Sequence, residues 1–159
     1  MLDKAEFPRE LSVHVLLDDA PHYKGSIHDD AVARARGYKA ALIPGAFVYG
    51  HISRLAIEAW GMAWAERGAM SARFRKPVYN HDDLIVKGEA LEDDGQFLRS
   101  AVTVLNGEGE TVATGSIALA HVPQQPTPGR ELSLLLPPQV APAVNSGELP
   151  VQLPLFCVS

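Results

Sequence analysis

One histidine stands a short distance upstream of a Pro-Gly pair that opens a long apolar segment. The histidine is His28, and Pro44-Gly45 precedes residues 46–60, which have the pattern of an apolar helix. Proline ends the structure before it and glycine allows a tight turn, so the first unpaired N–H groups of the helix face outward. Such a helix start favours anions and oxyanions. An ionisable histidine beside an oxyanion site is what enolate-forming reactions need.

Composition places these residues in one globular domain. The chain has 159 residues, 47% of them hydrophobic and 21% charged, and a net charge of -5. These values exclude a disordered chain, no apolar run is long enough for a membrane span, and the acidic balance argues against nucleic-acid binding. The acidic start of the chain predicts a cytoplasmic protein. Cys157 has no partner for an internal disulfide, and it lies too near the end to be a nucleophile.

Hydrophobic periodicity predicts the elements that position His28 and Gly45. Residues 31–36 form a short helical segment, which either Asp29 or Asp30 can cap. Residues 46–60 are apolar around most of the helix circumference, so this helix must be covered by other structure over most of its length. A period of two predicts strands at residues 11–17, 70–78, 84–91, 97–105 and 111–121.

This order predicts an α+β fold, in which an antiparallel sheet of about five strands wraps around a long central helix. Residues 1–122 form this domain. Residues 123–159 contain eight prolines and cannot form regular helix or a central strand. Because this extension also carries apolar clusters at 132–136 and 151–156, we expect it to pack on the domain or on a partner subunit.

The sequence resembles the MaoC-like branch of the hot-dog fold, which includes (R)-specific enoyl-CoA hydratases and acyl dehydratases. The resemblance covers about residues 11–121. It depends on Ile27-His28-x-Asp30 with Ala33, Gly37-Tyr38, Leu42-Ile43-Pro44-Gly45, Phe74-Arg75-Lys76-Pro77-Val78 and Asp83-Leu84.

The resemblance implies a catalytic role for His28. The family places an aspartate five residues before this histidine and Asn-Pro two residues after that aspartate. Here Tyr23 replaces the aspartate, and Gly25 and Ser26 replace Asn-Pro. The catalytic dyad of aspartate and histidine that the resemblance implies is therefore incomplete in this sequence. The family also holds the thioester carbonyl with backbone N–H groups at the helix start, which implies that role for Gly45 and its neighbour Ala46.

The other candidate residues have structural alternatives. Asp29 and Asp30 can orient or charge-balance His28, or they can simply cap the helix. Tyr23 is either a packed aromatic or a phenol that replaces the carboxylate as a hydrogen-bond donor. A phenol is a poor base at neutral pH because its ordinary pKa is near 10.

Substrate contacts are expected from two further regions. Tyr49 and Phe47 follow the helix start and are candidates for contact with the substrate, although such residues are often core or interface residues. Arg75 and Lys76 can bind the phosphates of coenzyme A, or they can lie on a charged outer face of a strand. No histidines have the spacing of a metal site.

The leading prediction of function is an acyl-thioester hydratase or dehydratase with an incomplete dyad. The thioester is carried by coenzyme A or acyl carrier protein, and no resident cofactor is expected. The alternatives are a hot-dog thioesterase and a non-catalytic acyl-CoA-binding protein. The predicted sheet has an exposed edge, and members of the resembling family commonly pair two such sheets. Both observations predict a homodimer or a dimer of dimers.

Overall fold

The computed structural model of the chain describes residues 6–122, which form six strands and three α-helices. The strands are β1 (Arg9–His14), β2 (Gly68–Phe74), β3 (Asp83–Gly88), β4 (Glu92–Asp93), β5 (Phe97–Asn106) and β6 (Thr111–Ala120). The helices are α1 (Asp30–Ala35), α2 (Gly45–Trp60) and α3 (Met62–Arg67), with a 3-10 turn at Pro21–Tyr23. None of the helices in this part of the chain has the length and apolar character needed to cross a membrane.

All strands join one antiparallel sheet in the order β1-β3-β5-β6-β2, and β4 pairs with β5. Successive side chains of a strand point to opposite faces. One face carries the buried residues Leu84, Val86, Val102 and Val104 of β3 and β5. The opposite face is called the outer face below. β1 and β2 are the two edge strands.

Helix α2 packs on the buried face of the sheet. Its buried stripe includes Val48, Ile52 and Leu55, and Trp60 closes the core at the helix end. These positions recur at intervals of three to five residues, as expected for one face of a helix with 3.6 residues per turn. Gly61, with a φ of 54°, ends the helix because this backbone conformation strongly favours glycine.

Some predicted strand ends are wrong for identifiable reasons. The strand predicted at 70–78 stops at Phe74, because Arg75 and Lys76 both donate their N–H groups to Val112 O and Pro77 has no N–H to continue the ladder.

The strand predicted at 84–91 ends at Gly88, and the separate β4 makes a sixth strand between this strand and the one predicted at 97–105. The strand predicted at 11–17 is Arg9–His14 in the structure. Beyond it, Val15 pairs with the loop at Asp82 and His81 instead. The predicted extension at 123–159 lies outside the described residues.

Candidate active site

A compact turn positions His28. The Ser26 hydroxyl donates a hydrogen bond to Tyr23 O at 2.7 Å and accepts one from the His28 N–H at 3.1 Å. Leu42 N–H in turn donates to Ile27 O at 3.0 Å, which fastens the turn to the segment leading into α2. The polypeptide therefore holds the histidine beside the start of α2 through backbone and serine contacts.

The imidazole of His28 has a defined hydrogen-bond partner. Its Nδ1 lies 2.7 Å from Leu42 O. A carbonyl oxygen can only accept, so Nδ1 carries the hydrogen and the neutral ring has its lone pair on Nε2. The half-buried ring is thus set up to take a proton at Nε2. A ring nitrogen with a free lone pair is what a general base requires.

Helix α2 begins without a side-chain cap. Pro44 is the N-cap, and it has no side-chain acceptor to offer. Phe47 N–H donates to Pro44 O at 2.9 Å, whereas the N–H groups of Gly45 and Ala46 have no acceptor within residues 6–122. Both positions are exposed. The helix start therefore presents two free donors, together with the positive end of the helix dipole.

His28 and the helix start line one cleft of about 420 Å³. Its walls are largely apolar, and the positively charged side chains of Arg75 and Lys76 stand among its lining residues. The lining consists of Ile27, His28, Leu42, Ile43, Gly45, Val48, Phe74, Arg75, Lys76, Pro77 and Val78. We call this space the reactive cleft. An apolar pocket with a few convergent polar groups is the usual form of a small-molecule site.

Phe74 was not predicted as a site residue. Its ring packs on the start of α2, since a Cβ added at Gly45 would lie 3.3 Å from the ring. The ring is 51% exposed and also lines the reactive cleft. Only the family pattern Phe74-Arg75-Lys76-Pro77 could have pointed to this residue.

A second cleft of about 640 Å³ is also lined by His28. It brings Tyr23, Asp29 and Asp30 together with Asp18 and Asp19. Neither Asp18 nor Asp19 was predicted as a site residue. Their carboxylates make no hydrogen bond or ion pair with the described part of the chain, so they are the carboxylates of this cleft that remain available to balance a charged imidazole.

Asp29 and Asp30 are both engaged in structural contacts. Asp29 caps α1 by accepting from Ala31 N–H at 2.9 Å, with a longer contact of 3.3 Å to Val32 N–H. Asp30 accepts from Arg34 Nε at 2.7 Å and from Ala41 N–H at 3.1 Å. The hydrogen bond from Arg34, and after it that from Ala41, lowers the pKa of Asp30. These contacts favour a role in holding the histidine turn over a role in proton transfer.

Tyr23 lies beside the catalytic candidate. Its ring meets the ring of His28 edge-on, with 5.5 Å between centroids, and the ring of His22 packs against it at 4.0 Å. Its hydroxyl makes no hydrogen bond within residues 6–122. The residue at the place of the family's aspartate is therefore adjacent to the histidine in space.

The remaining candidates are distributed around the helix and the end of β2. Phe47 and Tyr49 are 40% and 39% exposed, and neither lines the reactive cleft. His51 is half-buried, and burial followed by the charge of Arg54 lowers its pKa. Lys76 Nζ pairs with Glu110 at 2.5 Å. Residues 6–122 contain no group of three or more His, Cys, Asp or Glu side chains arranged to hold a metal.

Solved structures share this fold. A chain of the ChsH1–ChsH2 complex from Mycobacterium tuberculosis matches with a TM-score of 0.60 at 18% identity, covering 76% of this chain and 98% of that chain. The (R)-hydratase from A. caviae involved in PHA biosynthesis gives 0.57 at 15% identity, with 74% and 98% covered. The R-hydratase PhaJ1 from Pseudomonas aeruginosa gives 0.54 at 22% identity, with 77% and 90% covered.

These likenesses identify the fold as the hot-dog fold expected from the sequence. No protein-family model matches the chain, and a search of curated proteins found no match.

Proposed function

We propose that this chain is an acyl-thioester hydratase or dehydratase of the MaoC-like type. One observation carries the proposal. A histidine held in the Nδ1–H tautomer and Gly45, whose N–H at the start of α2 is free, line one largely apolar cleft. A base next to an oxyanion site matches the needs of water addition to a 2-enoyl thioester.

In the hydration direction, His28 Nε2 takes a proton from a water molecule whose oxygen attacks C3 of the enoyl group. The C2–C3 π electrons move toward the thioester carbonyl, and the N–H groups of Gly45 and Ala46 stabilise the resulting enolate oxygen. The imidazolium then returns its proton to C2. Hydroxide at C3 and a proton at C2 together account for one water, and the reverse sequence is dehydration.

The fold comparisons support this choice at the level of architecture. Two of the similar structures are described as hydratases, and both are covered nearly completely by the match. A coenzyme A thioester is the proposed substrate, with coenzyme A acting as a carrier rather than a resident cofactor.

A thioesterase reaction is a weaker candidate. Hot-dog thioesterases generally place a carboxylate near the start of the central helix, and the acid of α2 is Glu58, roughly 20 Å from Gly45 at 1.5 Å per residue. Glu58 is also paired with Arg54 at 2.7 Å and with Arg9 at 3.7 Å. A purely acyl-binding protein is the alternative favoured by Tyr23, which cannot act as the family's aspartate does.

The proposal predicts the effect of restoring that aspartate. Because Tyr23 lies beside His28, we expect Tyr23→Asp to raise kcat by about a hundredfold, the lower end of what one positioned acid or base contributes. Tyr23→Phe is the matched control and should leave turnover unchanged. Both variants are compared with the wild type on 2-enoyl and 3-hydroxyacyl thioesters of several chain lengths. No turnover of any thioester by wild type or Tyr23→Asp, with acyl-CoA binding retained, would replace the hydratase by an acyl-binding protein.

We also propose that two copies of the chain pair through β2. This strand is bonded to β6 on one side, and its other side is unpaired within residues 6–122. An open strand edge is a template for pairing with a second chain, and homo-oligomers most often have twofold symmetry. Light scattering of the full chain at micromolar concentration should give twice the monomer mass or four times it. A monomer mass under these conditions contradicts the pairing.

A further inference from the structure

A third cleft lies on the outer face of the sheet, where β2 runs beside β6. It has a volume of about 480 Å³ and is lined by Ser71, Ala72, Arg73, Arg75, Thr114, Gly115 and Ser116. No acidic side chain lines it, although acids outnumber bases and give the chain a net charge of -5. We call this space the arginine cleft.

The polar groups of the arginine cleft share one face. Ser71 and Arg73 alternate along β2 and therefore point to the same side of it. Arg75 follows the end of the strand and lines the same cleft. In the register, Ser71 is opposite Ser116 and Arg73 is opposite Thr114. The two serine hydroxyls lie 3.0 Å apart. Side chains of cross-strand neighbours lie within a few ångströms of one another, so these groups can contact one ligand together.

Neither arginine has an ionic partner in the described part of the chain. Other cations of the outer face are paired, since Lys87 contacts Glu10 at 2.9 Å and Arg99 contacts Asp94 at 3.1 Å. Lys76 is likewise neutralised by Glu110. Two unpaired guanidinium groups with nearby hydroxyl donors are suited to phosphate, which arginine binds through paired N–H groups.

Arg75 connects the arginine cleft to the reactive cleft, because its side chain lines both. A ligand whose reacting group lies at His28 can therefore place another part on the outer face by passing the end of β2. Pairing of β2 with a second copy occurs within the plane of the sheet, so it leaves the outer face open.

Building on the proposed function, we infer that the arginine cleft binds the phosphorylated nucleotide end of a coenzyme A thioester. Arg73 and Arg75 hold its phosphates, and the pantetheine arm runs past Arg75 into the reactive cleft. Arg73 and the hydroxyls of Ser71 and Ser116 are thereby assigned to carrier recognition. The assignment makes coenzyme A, whose nucleotide end is polyanionic, the preferred thioester carrier.

Calorimetric titration of the full chain with coenzyme A and with pantetheine tests this inference without requiring turnover. The wild type should bind coenzyme A more tightly than pantetheine. The double variant Arg73→Gln/Arg75→Gln should weaken coenzyme A binding by about tenfold to a hundredfold and leave pantetheine binding unchanged. In the wild type, added salt should weaken coenzyme A binding more than pantetheine binding.

The control is Lys87→Gln/Arg99→Gln, which makes the same change in net charge with paired cations of the same face. It should leave coenzyme A affinity within about twofold of wild type, as surface substitutions away from a binding site usually do. Melting temperatures check that each variant is folded. If the glutamine variant is unstable, Arg73→Lys/Arg75→Lys replaces it as the test. This variant keeps both charges, and we expect it to bind coenzyme A with an affinity between the wild-type affinity for coenzyme A and the wild-type affinity for pantetheine, which lacks the phosphate contacts.

Three results overturn the inference. They are equal wild-type affinity for coenzyme A and pantetheine, no loss in the arginine double variant, and an equal loss in the control. Equal affinities would direct the search for the thioester carrier to a carrier protein. These results leave the hydratase proposal intact, because that proposal fails only when thioesters are bound and not hydrated.

Discussion

Replacing His28 with alanine is expected to lower kcat for thioester hydration by about a hundredfold to ten-thousandfold, the contribution of one positioned general base. The ring is the proposed base, lines the reactive cleft and is held by Leu42 O. Affinity for a saturated acyl-CoA should change little, because the apolar wall and the arginines remain. Steady-state kinetics and a binding titration measure the two effects separately.

Two further variants separate chemistry from structure at this position. His28→Asn keeps an N–H near the place of Nδ1, so it can still donate to Leu42 O and should have a melting temperature near that of the wild type. It has no nitrogen equivalent to Nε2, so it should be as inactive as His28→Ala. His22→Ala removes an exposed histidine of the same loop that lines neither of the clefts next to His28. It should retain wild-type turnover. A His28→Ala enzyme with nearly normal kcat would remove this residue from the mechanism.

Gly45→Pro is expected to lower kcat by about a hundredfold to a thousandfold, as the loss of one oxyanion donor does in other enzymes. Proline lacks the N–H but fits the first position of a helix, and Pro44 before it already has the extended backbone (ψ of 135°) that a following proline requires. The helix should therefore form normally. Kinetics and thermal melting together measure the loss.

Gly45→Ala is the matched control, because it adds the same Cβ beside the ring of Phe74 and keeps the N–H. That ring is half exposed and can shift, so we expect wild-type kcat within about threefold, as for other surface substitutions. If the alanine variant loses as much activity as the proline variant, crowding by the side chain is responsible and the oxyanion role of this N–H is wrong.

Much of the fold was predictable because its signals are local. The change from a helical period to a period of two at Gly68 marks the start of β2, and Gly61 marks the end of α2. The proximity of His28 to the helix start was also predictable, since Gly45 follows His28 by 17 positions and the turn and proline between them limit the path. The ends of strands were harder to predict from the sequence. β2, for example, ends where its backbone turns to bond with Val112, a residue far along the chain.

The surroundings of the site depended on contacts between distant residues. Asp18 and Asp19 follow the strand predicted at 11–17. They line the second cleft beside His28, and the bond from Leu17 N–H to the Asn80 side chain holds the loop that precedes them. Lys76 was a candidate for binding phosphates or for a charged strand face, and it pairs with a glutamate 34 positions later in the sequence. Such pairings leave no local pattern of residue types, so sequence analysis could name the histidine and the helix start but not their neighbours.

The reaction itself is tested most directly by incubating the full chain with a 2-enoyl-CoA in water labelled with oxygen-18 and recording the products by mass spectrometry. A hydratase yields an intact 3-hydroxyacyl-CoA that is heavier by one labelled water, with the label on C3, and His28→Ala yields none above background. Labelled free acid together with released coenzyme A would show thioester hydrolysis instead. Unchanged substrate, under conditions where binding is demonstrated, would contradict the proposed catalysis altogether.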